Sequence, residues 1–259
     1  MVRVGLCGIR GRMGNEIRIG LSQDPDVHVV GGCDPRPAEG ADPPGVVITS
    51  TLAALMGQTP LDVVVDFTTA EAARGNALTA LAHRTPIVIG TTGLSEADLG
   101  DIDAAARTAG VGALVAPNFA IGANLLMHFA KIASRFFDAA EVIEIHHDAK
   151  IDAPSGTAMT IASEMRAARG KPFAGDNVSK FVVEGARGGV YEDLHVHSLR
   201  LPGFVATHEV IFGGTGQSLT IRHDSIGRDS FVPGVLYAVK HMDGKVGLVR
   251  GLDEFMGLI

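Results

Sequence analysis

Cysteine is almost missing from this 259-residue chain. Two thiols, Cys7 and Cys33, cannot build a disulfide framework, which points to a reducing cytoplasm. At the ends of adjacent strands they read as small buried hydrophobes. Aromatic residues are few, 11 Phe and 2 Tyr with no Trp, against 33 Gly, a balance that suggests tight turns and close backbone packing. Basic charge is also short. Twenty-two Lys and Arg against 29 Asp and Glu leave a net charge of −7, the wrong sign for a nucleic-acid partner. No basic start followed by an apolar stretch marks a signal peptide. The longest stretch without Asp, Glu, Lys or Arg, residues 108–130, contains Pro117, Asn118, Asn124 and His128. A membrane span needs ~20 predominantly apolar residues, so this stretch reads as a buried strand, a turn and an amphipathic helix. With 46% apolar and 20% charged residues, the chain can bury a sizeable core. Its length suits one large domain or two modest ones.

The first half alternates short Val/Ile runs with helical stretches. Strands are expected over residues 2–7, 27–32, 46–49, 62–67, 86–89 and 111–116, with helices over 13–21, 71–83 and 95–108. That alternation predicts βαβ units in a parallel sheet buried on both faces, wound as a Rossmann-like doubly wound fold. Residues 35–45, with four Pro and two Gly, read as a surface loop. After Pro117 the pattern changes. A helix over 121–137 carries Leu125, Leu126, Phe129, Ile132, Ala133 and Phe136 near helical period. A strand over 140–147 and a helix over 155–169, stopped by Gly170 and Pro172, follow. Strands over 194–199, 207–212 and 218–222 have few helices between them, which predicts an α+β domain with an open mixed sheet. A helix over 231–241 returns the chain to the first domain. The expected division is residues 1–117 with the return 229–259, and residues 118–228.

Gly8, Gly11 and Gly14 punctuate the turn between the first strand and the first helix, with Ile9, Arg10, Arg12 and Met13 between them. Glycines there let the backbone approach a pyrophosphate, and the helix start offers free N–H groups to it. The spacing is G-x-x-G-x-x-G, with Arg10 filling one place. Asp34 follows Gly14 at the end of the second strand, where a carboxylate accepts ribose hydroxyls of a dinucleotide. An ordinary turn with a surface Asp is the plainer alternative. Gly90, Thr91, Thr92 and Gly93 follow another strand and face the same crevice beyond the strand ends, unless they form only a tight turn.

The most specific stretch is EVIEIHHDAKIDAPSGTA, residues 141–158. Neighbours on a strand face opposite ways, so His146 and His147 should do different jobs, with a structural role open to one of them. Lys150 follows in the loop. Ser155 suits a helix N-cap, while Ala158 excludes a capping box. Gly156 and Thr157 then present N–H groups at the positive end of a helix. A lysine, imidazoles and a helix start together suit a small carboxylate substrate and proton transfer. Singly, each has a bland reading as a buried His, a solvated Lys or a routine cap. Among the other histidines, His83 reads as exposed and His128 as packed on its helix, while His28 and His241 carry no motif. His195 and His197 share a strand face and could meet His208 or His223 at a metal, but no Cys ligand or H-E-x-x-H run supports one, so no metal is expected. No G-x-S-x-G elbow occurs.

These motifs, together with VVDFT, GTTG, APNFAIGA and RHDSIGRDSFVPG, resemble the 4-hydroxy-tetrahydrodipicolinate (dihydrodipicolinate) reductase family over essentially the whole chain. The resemblance implies a dinucleotide-binding domain that includes the C-terminal return, and a substrate domain that assembles a homotetramer. It implies NADH and/or NADPH as cofactor, His146 as catalytic acid and Lys150 as substrate-orienting lysine. His147, Gly156 and Thr157 would hold a small dicarboxylate. Gly8 to Gly14, Asp34, Gly90 to Gly93 and Pro117, Asn118 and Phe119 would hold the cofactor. Pro35 and then Arg36 follow Asp34, where some members have a basic residue directly after the acid. The implied reaction opens with water loss from a hydroxy-imine dicarboxylate; hydride then reaches C4 and the His146 imidazolium, with a pKa near the operating pH, protonates C3. Another two-domain nicotinamide dehydrogenase would not require the HHxxK–SGT cluster. A nucleotide sensor without turnover would need an added module.

Overall fold

The computed structural model describes residues 1–37, 42–175 and 177–258. Two compact units emerge: unit 1 is Met1–Ile121 with Arg228–Ile259, and unit 2 is Gly122–Gly227.

Unit 1 is built on β1 (Val2–Cys7), β2 (Val27–Cys33), β3 (Val47–Thr49), β4 (Val63–Asp66), β5 (Ile87–Ile89), β6 (Gly112–Val115) and, from the returning chain, β12 (Gly247–Arg250). The order is β12-β6-β5-β4-β1-β2-β3 and every pairing is parallel. Connections run one way from β1 to β3 and the other way from β4 onward, so the switch point lies between β1 and β4. One face is covered by α1 (Arg12–Leu21) and α7 (Val232–His241), whose Ile17, Leu21, Val235 and Val239 pack on Val4, Leu6 and Val65. The other is covered by α2 (Leu52–Met56), α3 (Ala70–Ala82) and α4 (Glu96–Ala109), through Leu55, Ala77 and Ile102. A sheet buried on both faces has no polar side, which explains its near-continuous Val/Ile runs. Cys7 and Cys33 are buried register partners, and contact with Cys33 pushes the Cys7 thiol well up. The returning segment adds a 3-10 turn, Arg228–Phe231, and a short α8, Leu252–Phe255. Of the loop expected over 35–45, residues 38–41 lie outside the described residues.

Unit 2 has a five-stranded sheet of order β11-β10-β7-β9-β8, made of β7 (Ala139–His146), β8 (Gly189–Tyr191), β9 (Leu194–Arg200), β10 (Ala206–Gly214) and β11 (Gln217–Ser225). Only β7 and β9 run parallel. The sheet is therefore mixed, as expected from the sequence. α5 (Ile121–Ala133) and α6 (Gly156–Arg169) cover one face, where Leu126, Ala130, Ile161 and Met165 meet Val142, Val196, Val210 and Phe212. The apolar stripe expected on α5 is partly misassigned. The helix stops at Ala133, and Phe129, Ile132 and Phe136 are exposed while Asn124 is buried. Periodicity gives a stripe but not the side on which a partner waits.

Candidate active site

In unit 1 the expected cofactor residues gather at the carboxyl ends of β1, β2, β4, β5 and β6. The turn after β1 needs its glycines for space. Gly8 takes φ +78°, and a Cβ on it would stand 2.7 Å from the Phe67 carbonyl oxygen. A Cβ on Gly14 would stand 2.1 Å from the Gly8 carbonyl oxygen, far inside contact distance. The helix start is left open as well. α2, α3 and α4 are each capped by a Thr or Ser side chain, but Gly11 at the α1 N-cap offers none. Its first N–H groups are thus available to a phosphate. A Gly cradle at an uncapped helix start fits a dinucleotide.

Asp34 is 3% exposed at the end of β2. Its carboxylate accepts from the Arg10 N–H (3.0 Å), the Arg36 N–H (3.1 Å) and both arms of the Arg36 guanidinium (2.8 and 2.6 Å). The Arg36 side chain is the main reason that its pKa lies below the usual carboxylate value. Arg36, two places after the acid, thus takes the place beside the carboxylate. The Arg10 guanidinium is turned to Asp42 (3.0 Å) and Arg12 is exposed. Ile9 is core, and Met13 packs against it half-buried.

Thr91 is buried, and its hydroxyl is satisfied by donating to Asp66 at 2.9 Å. Asp66, unassigned by the sequence reading although it lies in VVDFT, also accepts from the Thr68 hydroxyl and N–H and from the Asn76 amide. It ties the turns after β4 and β5 together. Thr92 is exposed and Gly93 takes φ +92°. After β6, Pro117 is exposed, Asn118 half-buried and Phe119 wholly buried, with its ring 5.9 Å from Phe67. The Phe119 ring is therefore part of the core rather than of a ligand surface.

In unit 2, the end of β7 and the start of α6 come together. Ser155 caps α6, accepting from the Ala158 N–H at 3.2 Å. No partner in the chain takes the Gly156 or Thr157 N–H among the described residues. A Cβ on Gly156 would meet open space, so packing does not require glycine there. The Lys150 ammonium lies 2.7 Å from Asp152. β7 ends at His146, which is 8% exposed, and His147, expected within the strand, lies just past it and is exposed.

His146 sits in a polar network most of which the sequence reading did not name. Its Nδ1 contacts the Glu144 carboxylate, which is wholly buried. Arg200 on β9 forks onto both Glu144 oxygens (3.0 and 2.8 Å), and the Ser155 N–H adds a bond at 3.2 Å. Burial would raise the Glu144 pKa. Bonds from Arg200, Ser198 and His146 outweigh that and hold it down at about 2. His208 on β10, 4% exposed, stands edge-on to His146 at 5.4 Å and meets the Ser155 hydroxyl at 3.2 Å. Burial draws His208 down to about 4 and draws His146 below the usual histidine value, against the pull of Glu144. The free His146 is therefore more weakly basic than an ordinary histidine. One signal for Glu144 was available: two places before His146 on a strand, it shares a face with it. His195 and His197 pair with the Glu141 and Ile143 positions of β7, on the opposite face from Glu144 and His208. Their ring nitrogens meet the Arg187 carbonyl and Glu141. No group of three or more His, Cys, Asp or Glu suited to a metal occurs among the described residues. No helix among them is long and apolar enough to cross a membrane.

Comparison with known proteins gives the same outline. The family model for the dihydrodipicolinate reductase N-terminus matches residues 2–119, and that for the C-terminus matches residues 122–256. The 4-hydroxy-tetrahydrodipicolinate reductase of Moorella thermoacetica is 47% identical over 262 residues, covering 98% of each chain. That of Dehalococcoides mccartyi strain BAV1 is 43% identical over 99% of each. The solved structure of a dipicolinate-bound dihydrodipicolinate reductase from Paenisporosarcina sp. TG-14 matches with a TM-score of 0.92 at 36% identity, covering 98% of this chain and 99% of that one. The chain belongs to the dihydrodipicolinate reductase family.

Proposed function

We propose that this chain reduces 4-hydroxy-tetrahydrodipicolinate to tetrahydrodipicolinate with NADH or NADPH, in the biosynthesis of lysine and diaminopimelate. The observation that carries this reading is the gathering of His146, Lys150 and the open start of α6 in one unit of a family member. Bound at the Gly8–Gly14 turn, the cofactor supplies the hydride. Asp34 accepts its ribose hydroxyls, and the backbones of Gly90 to Gly93 and of Pro117, Asn118 and Phe119 line its path.

The chain's own groups handle a small dicarboxylate. The Gly156 and Thr157 N–H groups receive one carboxylate at the positive end of α6. Lys150 exchanges Asp152 for substrate charge, and His147 adds a polar edge. Holding the ring this way lowers the barrier by proximity. Two carboxylates brought beside His146 favour its imidazolium, which offsets the effect of burial and readies it to protonate C3. The protein supplies orientation and electrostatics for hydride chemistry that belongs to the cofactor. The exposed edges of the unit 2 sheet suit a homotetramer, and the paired free thiols suit the cytoplasm.

The test is oxidation of NADH or NADPH with the imine made in situ from pyruvate and aspartate semialdehyde. Turnover that depends on all components supports the reading. Absence of turnover by the folded protein overturns it.

A further inference from the structure

We propose that Glu144 is the positioning residue of the proton donor: it fixes the His146 imidazole with Nδ1–H toward its carboxylate, leaving Nε2 as the atom that delivers the proton, and Arg200 fixes Glu144 in turn. The inference rests on the reading of His146 as the acid. It goes beyond that reading by assigning the tautomer and the groups that enforce it.

A carboxylate with no exposure is costly to bury unless every oxygen is satisfied. Here each oxygen is. Glu144 Oε1 accepts from Arg200 and from the Ser155 N–H, and Oε2 accepts from Arg200 and faces His146 Nδ1. An ionised carboxylate only accepts, so His146 Nδ1 must donate. In the neutral ring Nε2 then carries the lone pair. In the imidazolium, Nε2–H is the one ring proton not already committed.

The neighbouring elements agree with this arrangement. Glu144 approaches His146 from its own strand, Arg200 from β9 and His208 from β10, with His223 beyond it on β11. Lys150 and Asp152 stand in the following loop, and Ser155 opens α6. Because Ser155 Oγ already accepts the Ala158 N–H, its own proton is free to go to His208 Nε2. His208 is then neutral and can stack edge-on against an imidazolium without repulsion. Glu144 is the negative group in contact with His146, while Arg200 and Lys150 are positive and act against its protonation. Neutralising Glu144 would leave His146 facing those two cations.

Glu144→Gln should therefore change both the atom that carries the proton and the pH range of activity. The expected kcat loss is about 10²-fold, within the usual worth of general acid catalysis. The pH above which activity falls should move down by about one unit or more, with KM and NADH affinity little changed. A merely structural role would lower thermal stability without moving that profile. Histidine labelled with 15N gives a readout independent of turnover. His146, assigned by comparison with His146→Gln, should show the Nδ1–H tautomer in the wild type and lose it in Glu144→Gln.

Should Glu144→Gln fail to fold, Arg200→Lys takes its place, with an intermediate kcat loss and pH shift expected. An unchanged pH profile together with an unchanged tautomer in whichever variant folds overturns the proposal. So does a wild-type His146 protonated on Nε2 alone. Failure of the reaction itself would instead show as a wild type that oxidises neither NADH nor NADPH with the imine, and the tautomer measurement would still decide the role of Glu144.

Discussion

On the proposed reading, the two units build binding in opposite ways. Unit 1 makes its cradle by omission: Gly8, Gly11 and Gly14 remove side chains, and Gly11 leaves α1 without a side-chain cap. Unit 2 makes its site by addition, burying Glu144, His146 and His208 in a network closed by Arg200 and Ser155. A cradle of backbone donors suits a charge that is the same before and after reaction, such as a pyrophosphate. A proton that must move needs a titratable group, and such a group needs neighbours that set its state.

The comparison breaks most visibly at His146. His146→Gln should lower kcat by about 10²–10⁴-fold with little change in KM, because the lost interaction exists only as the transition state forms. Near wild-type turnover in steady-state assays would remove unit 2's claim to the chemistry.

A second expected effect concerns acid. The folded-state pKa of His208 lies at about 4, below the ordinary 6.5, because burial favours the neutral ring. Its contribution to stability is complete above pH 6.5 and is lost as pH falls from 6.5 toward 4, by about 3 kcal/mol in all. His146 acts in the same direction, whereas Glu144, held at about 2, adds its loss only below pH 4.5. Calorimetric Tm values should therefore fall between pH 6.5 and 4.5, and His208→Asn should flatten that fall. An equal slope in the variant would relocate its source.

Lys150→Ala should raise KM as well as lower kcat and should weaken pyridine-2,6-dicarboxylate binding, by about 1.5–3 kcal/mol as for a lost charge-assisted bond. Lys150→Arg should rescue only in part, since a planar fork replaces a compact charge. NADH affinity, read by calorimetric titration, should not change. In unit 1, Gly14→Ala forces a methyl against the Gly8 carbonyl, a clash expected to cost about 1–3 kcal/mol. NADH affinity should drop about tenfold while the His146 tautomer stays as it was. The smallest effect is cofactor choice. On the proposed reading Asp34 would repel a 2′-phosphate and Arg36, paired with it, would partly offset that, so NADH should serve at least as well as NADPH. A wild-type kcat/KM preference for NADPH beyond tenfold, about 1.4 kcal/mol, would overturn this assignment.

How much was legible in the sequence follows the same division. The parallel sheet announced itself because strands buried on both faces are unbroken runs of Val and Ile. β12 did not, since GLVR is four residues that begin on a glycine at φ +85°. β8 and α2, at three and five residues, are too short for periodicity. In the site, His146 and Lys150 lie within one motif. Arg200 and His208 reach Glu144 and Ser155 from 56 and 53 residues away. Such partners depend on strand register, which no local pattern encodes. The exposed Phe129 and Ile132 show the converse: helical period placed them on a stripe, but they stand on the part of α5 that the core of unit 2 leaves uncovered.

The return of the chain into unit 1 has a consequence for synthesis. Val235, Val239, Met242, Leu252 and Phe255 belong to the core that covers Val4, Leu6 and Val65, and β12 pairs with β6. As the chain emerges from the ribosome, residues 1–121 lack part of the cover on the face shared with α1, and one edge strand, until residues 228–258 appear. Unit 2 is contiguous and lies wholly between them. It can close first, while the unfinished nucleotide-binding half presents apolar surface to whatever chaperone meets it.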